Sequence, residues 1–380
     1  MRLVETREGR TRLLVPRESL EAEAPPTSPV FFNPAAATNR DVSVAVTRAV
    51  GGETFCDSLA GLGARGVRMA VEASRSIEVT LVDFNAEAVK LARRNAEANG
   101  VKGRCAFLSE EARTFLHSRY GKGEKFDFVD VDPFGTPAPF LQAAVSAAAD
   151  GGVVSVTATD TAALCGVYPA VSVRRYSAVS MNNSFHHETG ARILLNAVRR
   201  EAAILDRGVV PVAAHSTRHY IRVFARVENG AARADASRRN EGFVSVCTKC
   251  HDAASSGSAP KLCEKCGGKL RWAGPLWAGP LTDGTVLRRA SEFAKREGLA
   301  EAHKILAGLR GVDSFPPWGY SIDEVCSRLK IATVQEARVK ESLAGAGFRS
   351  GRQPFEKTGL KSTAPYGAVL DAVRQSARRG

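Results

Sequence analysis

A strand-like run ends in four residues that could hold and stack a nucleobase. The run 126–131 is followed by Asp132, Pro133, Phe134 and Gly135. The Asp132 carboxylate and the Pro133 carbonyl could accept both N–H bonds of an exocyclic amine. They would aim its lone pair at an electrophilic carbon and later help to remove a proton. The Phe134 ring offers a face for base stacking, which is worth about 1–3 kcal/mol. Asp-Pro is also common in ordinary turns. The position of these residues in the sheet therefore decides between a base-binding site and an ordinary turn.

A glycine-rich turn upstream predicts a nucleotide-type cofactor. Asp57 ends an earlier strand-like run, and Gly61, Gly63, Arg65 and Gly66 follow within ten residues. Glycines here let a ligand approach the backbone, and the helix N-terminus that follows favours negative charge. An acid at the end of the next strand, Asp83, could accept both hydroxyls of a ribose. By itself the spacing fits a nicotinamide dinucleotide equally well.

The surrounding elements alternate between short β-branched runs and amphipathic helical patterns. The predicted strands are 54–59, 77–82, 104–108, 126–131, 153–157, 209–214 and 220–227, and the predicted helices are 65–73, 86–99, 110–119, 137–149 and 188–205. This alternation indicates an α/β fold with a mostly parallel sheet covered on both faces. The last two strands lack an intervening helix and should form a hairpin. Such a terminal antiparallel hairpin favours the class I, Rossmann-like methyltransferase arrangement over a symmetric dinucleotide fold.

The position of Asp132 then favours amine methylation from S-adenosyl-L-methionine. The tetrapeptide lies at the carboxyl edge of the sheet, where open α/β sheets bind ligands. It resembles the Asp/Asn-Pro-Pro-aromatic motif of amino-directed methyltransferases. The guanine amine is hidden in the minor groove of a duplex, so the base should be extracted into a pocket with a second aromatic wall. Phe31 or Phe32 is the candidate for that wall. Arg40, just upstream of the first strand, is placed near the cofactor carboxylate.

Two cysteine pairs predict a structural zinc site. The spacing Cys247-x2-Cys250-x12-Cys263-x2-Cys266 supplies four thiolates in the arrangement typical of tetrahedral zinc, with a redox pair as the alternative. The remaining cysteines occur singly in apolar contexts and are predicted to be reduced core residues. They are Cys56, Cys105, Cys165 and Cys326.

Composition and charge limit the functional classes. The 380 residues are 44% hydrophobic and 24% charged, with a net charge of +13, which favours a polyanionic partner unless it reflects only a preference for arginine. The length predicts at least two domains. A polar linker is predicted at 229–241, and after 282 two short helices, 322–329 and 334–345, precede an extended basic tail in a winged-helix-like order. No membrane span, signal peptide or obligate protein partner is predicted, so the cytoplasm is the expected location.

These segments together resemble the tRNA guanine-26 N2-dimethyltransferases over nearly the whole chain. The segments that carry the resemblance are 30–34, 39–43, 57–59, 64–68, 130–135, 156–160, 164–166, 187–193, 219–224, 266–277 and 358–365. The glycine-rich turn departs from the usual family pattern, and not every member has the four cysteines.

The resemblance implies transfer of one and then two methyl groups to N2 of guanosine 26 in tRNA, with position 27 as a second target in some relatives. It implies cofactor contacts for Arg40, Arg65 and Asp83, with Glu111 and Ala112 near the adenine. It also implies that Asp132 holds the target amine and that Phe31 and Phe134 sandwich the base. His186 and His187 are interpreted as structural, because direct alkylation needs no histidine relay.

The predicted organisation has four parts. An N-terminal segment, 1–50, contributes to the cofactor and base pocket, and the methyltransferase domain covers 51–240. A zinc lobe with four cysteine ligands follows at 241–281, and a smaller C-terminal α+β domain, 282–380, is expected to bind tRNA. The alternatives are the same chemistry on another RNA or on DNA, a zinc-containing RNA-binding protein without activity, and a nicotinamide dehydrogenase.

Overall fold

The computed structural model describes residues 2–22, 26, 29–356 and 358–378. The N-terminal part forms a hairpin of β1 (Leu3–Glu8) and β2 (Thr11–Pro16), followed by α1 (Glu18–Glu21), a 3₁₀ turn (Pro34–Ala36) and α2 (Ala37–Val50). The sequence interpretation did not foresee this hairpin. It is fixed to the rest of the chain by Asn95, whose side chain accepts from the backbone N–H of Leu14 at 2.7 Å and donates to its carbonyl at 3.2 Å. No described helix has the length and hydropathy of a membrane span.

A seven-stranded sheet forms the centre of the molecule. Its strands are β3 (Thr54–Asp57), β4 (Glu78–Val82), β5 (Cys105–Leu108), β6 (Phe126–Val131), β7 (Ala148–Ala158), β8 (Arg207–Thr217) and β9 (Tyr220–Asn229). The order is β5-β4-β3-β6-β7-β9-β8, with the first five strands parallel and β9 antiparallel to both of its neighbours. The predicted parallel sheet with a terminal antiparallel hairpin is therefore confirmed.

Helices cover the sheet, and their starts follow from local capping. They are α3 (Ala64–Arg68, continuing as a π-helical turn to Ala73), α4 (Ala86–Ala98), α5 (Ala112–Gly121), α6 (Leu141–Ala147), α7 (Thr161–Leu164), α8 (Pro169–Tyr176), α9 (His186–Ala203) and α10 (Ala231–Arg238). Asn85 caps α4 by accepting from two backbone N–H groups, and Glu111 caps α5 by accepting from one. The predicted linker 229–241 was wrong, because α10 occupies most of it. That helix buries only Ala234 and Ser237, so its apolar periodicity is weak.

The paired cysteines lie on a small antiparallel sheet. It consists of β10 (Glu241–Cys247), β11 (Ala253–Ser256) and β12 (Leu270–Trp277), in the order β11-β10-β12. The first part of the segment 272–280, which is rich in Gly, Pro and Trp, therefore belongs to a strand. Trp277 is buried in the main core and donates its indole N–H to the carbonyl of Pro280 at 2.6 Å.

The elements after residue 282 pack in two different hydrophobic cores. The helices α11 (Gly284–Arg296) and α12 (Ala300–Gly308) pack on α2 and share the main hydrophobic core, so the predicted boundary at 282 does not coincide with a change of core. A smaller core begins at Tyr320. It is formed by β13 (Tyr320–Ser321), α13 (Ile322–Leu329), α14 (Glu336–Gly345), β14 (Ser350–Arg352), β15 (Gly359–Ser362) and α15 (Tyr366–Arg378).

The order of elements in this smaller unit is that of a winged helix. The two predicted helices are present, and β14 and β15 follow them as an antiparallel pair, with β13 on the other side of β15. The prediction of an extended tail was wrong, since the chain ends in α15. This helix buries Val369, Ala372 and Val373 at helical spacing against the small core.

Candidate active site

The turn after β3 brings backbone close to the carboxyl edge of the sheet. Gly61 and Gly63 have φ values of +53° and +79°, a region that favours glycine. A Cβ on Gly63 would lie 2.9 Å from Ala92 Cβ and from Leu81 Cδ2, so this glycine also permits the close packing of α4 on the turn. The Gly61 N–H donates to Asp83 Oδ2 at 2.7 Å. The other Asp83 oxygen accepts from the N–H of Asn85 at 2.9 Å.

Asp132 and Phe134 project from the end of β6 at the same edge. The Asp132 side chain is 27% exposed, and Phe134 is 68% exposed. The rings of Phe31 and Phe134 meet edge to face, with 4.7 Å between centroids and 80° between planes. Phe32, in contrast, is buried in the core beneath the N-terminal hairpin. The structure therefore brings together the two rings that the family resemblance selected.

Asp132 belongs to a cluster of charged side chains, the rest of which are buried. The cluster consists of three carboxylates and two guanidinium groups, those of Asp57, Asp130, Asp132, Arg65 and Arg222. Arg65 pairs with Asp132, lies 3.1 Å from Asp130 through its Nε, and donates to Asn39 at 3.0 Å. Arg222, from β9, pairs with Asp130. The cluster therefore contains one more acid than base.

This surplus acid is reflected in the pKa values. Burial opposes ionisation of Asp132, but the guanidinium groups of Arg65 and Arg222 outweigh it and lower the pKa of Asp132. At neutral pH Asp132 is therefore a carboxylate, which accepts hydrogen bonds and donates none. Burial and the neighbouring Asp130 carboxylate raise the pKa of Asp57 to about 7. Asp57 accepts the N–H of Gly66 at 2.9 Å, so it supports the start of α3.

Arg40 and Glu111 have local partners of their own. Arg40 forms a two-point ion pair with Glu8 of the N-terminal hairpin and donates to the carbonyl of Asn33 at 2.9 Å. Its guanidinium is thus oriented by protein groups, and its predicted cofactor contact stays a prediction. Glu111 accepts the N–H of Thr114 at 2.9 Å. Hydrogen bonds from Arg113 and Thr114 outweigh partial burial and lower the pKa of Glu111 to about 2.

One cavity of about 640 Å³ gathers all the predicted catalytic and cofactor residues, a size typical of ligand pockets. Its lining includes Phe31, Arg40, Asp57, Arg65, Asp83, Glu111, Ala112, Asp132, Pro133 and Phe134. It also includes residues to which the sequence interpretation gave no role in the site: Thr157 and Thr159 at the end of β7, and Arg218, His219 and Tyr220 at the turn between β8 and β9. Since a hairpin turn returns to the sheet edge where parallel strands end, the predicted hairpin could have located the last three.

A second, larger cavity of about 1270 Å³ adjoins the first. This groove is lined by the loop before α9, the cysteine lobe and the small C-terminal unit. Arg218 and His219 line both cavities. The other cationic side chains of the groove are Arg271, Lys304, Arg328 and Arg352.

The four paired cysteines meet the geometric requirement for zinc. Their sulfurs all lie within 4.8 Å of one another, with 3.5 Å between Cys247 and Cys266 and 3.7 Å between Cys250 and Cys263. Four Zn–S bonds of about 2.3 Å in a tetrahedron place sulfurs about 3.8 Å apart. A disulfide needs about 2.05 Å, so the arrangement favours a metal over a redox pair.

Comparisons with known proteins identify relatives over nearly the whole chain. Residues 9–374 match the family described as N2,N2-dimethylguanosine tRNA methyltransferase. The tRNA (guanine(26)-N(2))-dimethyltransferase of Methanothermobacter thermautotrophicus is 36% identical over 98% of both chains. The enzyme of the same name from Methanopyrus kandleri is 36% identical over 96% of this chain and 95% of its own.

A solved structure is similar over the same length. The complex of Trm1 from Pyrococcus horikoshii with S-adenosyl-L-methionine has a TM-score of 0.84 and 30% identity, covering 97% of this chain and 99% of the other. The predicted class I methyltransferase fold is confirmed. The chain therefore belongs to the N2,N2-dimethylguanosine tRNA methyltransferase family.

Proposed function

We propose that this protein transfers one and then two methyl groups from S-adenosyl-L-methionine to N2 of guanosine 26 in tRNA. The observation that carries the proposal is the single cavity in which Asp132, Pro133 and Phe134 face the glycine turn and Asp83. Relatives of this name match nearly the whole chain, and a similar structure holds S-adenosyl-L-methionine.

The cofactor side of the cavity provides polar groups at the ends of β3, β4 and β5. S-adenosyl-L-methionine would supply the electrophilic methyl group. Asp83 keeps lone pairs for the ribose hydroxyls while two backbone N–H groups fix its carboxylate. Glu111 and Ala112 would border the adenine at the start of α5. Arg40 and Arg65, each paired with a carboxylate, would lie beside the methionyl part of S-adenosyl-L-methionine.

Residues on the base side of the cavity would orient the guanine amine for methyl transfer. The Asp132 carboxylate and the Pro133 carbonyl would accept the two N–H bonds of the guanine amine, which directs its lone pair along the line of methyl transfer. Asp132 is held in place by Arg65, so its position needs little adjustment when the base enters. The ionised Asp132 carboxylate would stabilise the positive charge that develops on the amine nitrogen.

The aromatic pair must open for the base to bind. Two stacking contacts of about 3.5 Å require about 7 Å between the faces of Phe31 and Phe134, and their centroids are 4.7 Å apart. The base would replace the contact between the rings. The strained hairpin turn at Arg218, whose φ is +54°, lies at the junction of the cavity and the groove, so it would contact nucleotides beside the target.

The groove offers a path for the tRNA backbone. Its cationic side chains, Arg218, Arg271, Lys304, Arg328 and Arg352, come from several elements, including the predicted C-terminal tRNA-binding part. Phosphate contacts of this kind give affinity and orientation without sequence selection. Zinc bound by Cys247, Cys250, Cys263 and Cys266 would stabilise the wall of the groove formed by β10–β12.

The test is methyl transfer to matched tRNA transcripts. Transcripts with guanine or adenine at position 26, and with guanine or adenine at position 27, would be incubated with labelled S-adenosyl-L-methionine, and the products mapped by mass. We expect one- and two-methyl products at guanosine 26 and none with adenine there. Equal labelling of the adenine transcript would contradict the proposal, and labelling only at position 27 would redirect it. Absence of S-adenosyl-L-methionine binding in calorimetry would favour an inactive RNA-binding protein, and tighter binding of NADH a dehydrogenase.

A further inference from the structure

Three ligand-type side chains other than the four paired cysteines converge beside the groove. Cys165 follows α7, and His186 and His187 are the first two residues of α9. The Cys165 sulfur and one ring nitrogen of each histidine all lie within 4.8 Å of one another. Thiolate and imidazole are the ligands that zinc and similar divalent transition-metal ions prefer.

Both histidines are held as metal-binding histidines usually are. His186 Nδ1 bonds to the backbone carbonyl of Asn183, and His187 Nδ1 lies 2.9 Å from Glu356 Oε1. An oxygen acceptor at Nδ1 places the ring proton there and leaves the lone pair on Nε2. Such an acceptor also orients the ring and raises the basicity of the ligating nitrogen. This arrangement is present for both neighbouring rings, whose centroids are 4.2 Å apart.

The segments that carry the ligands are fixed by backbone packing. Cys165 is 6% exposed, and Gly166, with φ +85°, lies so close to the 181–182 backbone that a Cβ would be 2.1 Å from the N atom of Asn182. Glu356, which also accepts the N–H of His187 at 3.3 Å, is held to the start of α9 from the C-terminal unit. The three ligands therefore come from segments whose spacing is set by the fold.

We propose that Cys165, His186 and His187 form a second metal site that binds one zinc ion. The fourth position faces the groove, which His186, His187 and Glu356 line, so a water molecule or an RNA phosphate oxygen would complete the tetrahedron. Three protein ligands with one open position distinguish this site from the closed site of the four paired cysteines. The Glu356 carboxylate, 2.9 Å from His187 Nδ1, adds negative charge beside the site, which favours a cation.

The experiment is metal analysis of the full-length protein. Wild type, C165S, H187Q and C326S would be dialysed against zinc and then against metal-free buffer, and zinc per chain measured by mass spectrometry. Cys326 is a buried cysteine in the small core, so C326S is the matched control. We expect two zinc ions in wild type and C326S, and one in C165S and H187Q.

Cobalt substitution gives an independent measurement. Cobalt added to C165S should lack the thiolate-to-cobalt absorbance that a Cys-His-His site adds to the spectrum of the four-cysteine site, while C326S should match wild type. One zinc per wild-type chain, or two zinc ions retained by C165S and H187Q, would show that the proposal is wrong. Thermal unfolding of each variant distinguishes lost metal from lost fold.

Discussion

Two buried clusters of charge have opposite balances. Beneath the active-site cavity, three carboxylates face two guanidinium groups. At the joint between α9 and the C-terminal unit, the single carboxylate of Glu188 faces Arg192 and Lys361, each at 2.8 Å. Except for Asp132, which is partly exposed, the charged groups of both clusters are buried, so the clusters differ mainly in the partners of each group.

Every charged group of the cluster at the joint has hydrogen-bond partners within the protein. Glu188 also accepts from Gln353 at 2.7 Å, and the surplus positive charge is directed to backbone carbonyls. Arg192 donates to the carbonyls of Trp277 and Gly279, and Lys361 to those of Pro316 and Trp318. It joins α9, β12 and β15 in one hydrogen-bonded unit. Breaking such a network is expensive, because it leaves a buried charge without a partner.

In the cluster at the cavity, the extra acid needs either a proton or a cation to balance it. Its surplus acid raises the pKa of Asp57 to about 7, and Asp132 is partly exposed to the cavity. A sulfonium or a developing ammonium would supply the missing positive charge. The two clusters thus differ in how the extra charge is accommodated: backbone carbonyls accept from the extra base at the joint, whereas the extra acid at the cavity has a raised pKa.

The largest expected effect is that of removing the Asp132 carboxylate from the cluster at the cavity. Asp132→Ala should lower methyl transfer by about a hundred- to ten-thousand-fold, since the amine loses an acceptor and a negative charge. Binding of tRNA should change little, as measured by filter binding. Asp132→Asn retains one acceptor oxygen and should retain more activity than the alanine variant. Near-normal turnover of Asp132→Ala would mean that the carboxylate does not hold the amine.

The next effect is at the cluster of the joint and concerns stability. Glu188→Ala leaves Lys361 and Arg192 unpaired and should lower the free energy of unfolding in urea by about 3–5 kcal/mol. The matched control is Glu324→Ala, which removes the same i, i+4 pairing with an arginine at an exposed position. That variant should change stability by less than about 1 kcal/mol. Equal effects of the two substitutions would contradict a structural role for the joint.

The smallest effect is a difference in pH dependence. Lys361 and Arg192 outweigh burial and lower the pKa of Glu188 to about 2, so its contribution is present above pH 4.5 and is lost as the pH falls towards 2. Asp57 has the opposite sign. Its raised pKa makes the native state bind a proton that the unfolded state releases, so its contribution falls as the pH rises from about 4 to about 7.

Asp57→Asn should remove this part of the profile. The slope of unfolding free energy against pH should change by at most about 1.4 kcal/mol per pH unit between pH 4 and 7. Asp371→Asn, on the exposed side of α15, removes the same charge and serves as the control. An unchanged slope in Asp57→Asn would show that the surplus acid is not carried by this residue.

Local patterns predicted the strands, the glycine turn and the ligand spacing. The ends of β4 and β6 could be located because Asp83 and Asp132 each follow a β-branched run, and parallel strands bring their carboxyl ends to one edge. The predicted strand 54–59 extended two residues beyond the end of β3 at Asp57. The four paired cysteines could be recognised because their spacing within one short segment is itself the constraint.

Contacts between distant segments could not be predicted. Arg222 pairs with Asp130 across 92 residues, and Glu8 with Arg40 across 32, and neither pairing leaves a periodic pattern. The same holds for Cys165 with His186 and His187, which only the packing of α7 against α9 brings together. The N-terminal hairpin was missed because half of the residues in its two strands are polar. One of these polar residues, Glu8, pairs with Arg40 and orients it.

The contact between Phe31 and Phe134 has a consequence for substrate size. Separating the rings gives up an aromatic contact worth about 0.5–1.5 kcal/mol, whereas an entering base regains about 1–3 kcal/mol by stacking. A free nucleoside must offset both the lost contact between the rings and the entropy of its own immobilisation with this stacking alone. A polynucleotide held in the basic groove would already be immobilised before the base enters. Guanosine by itself would therefore be a poor acceptor, although it carries the same amine.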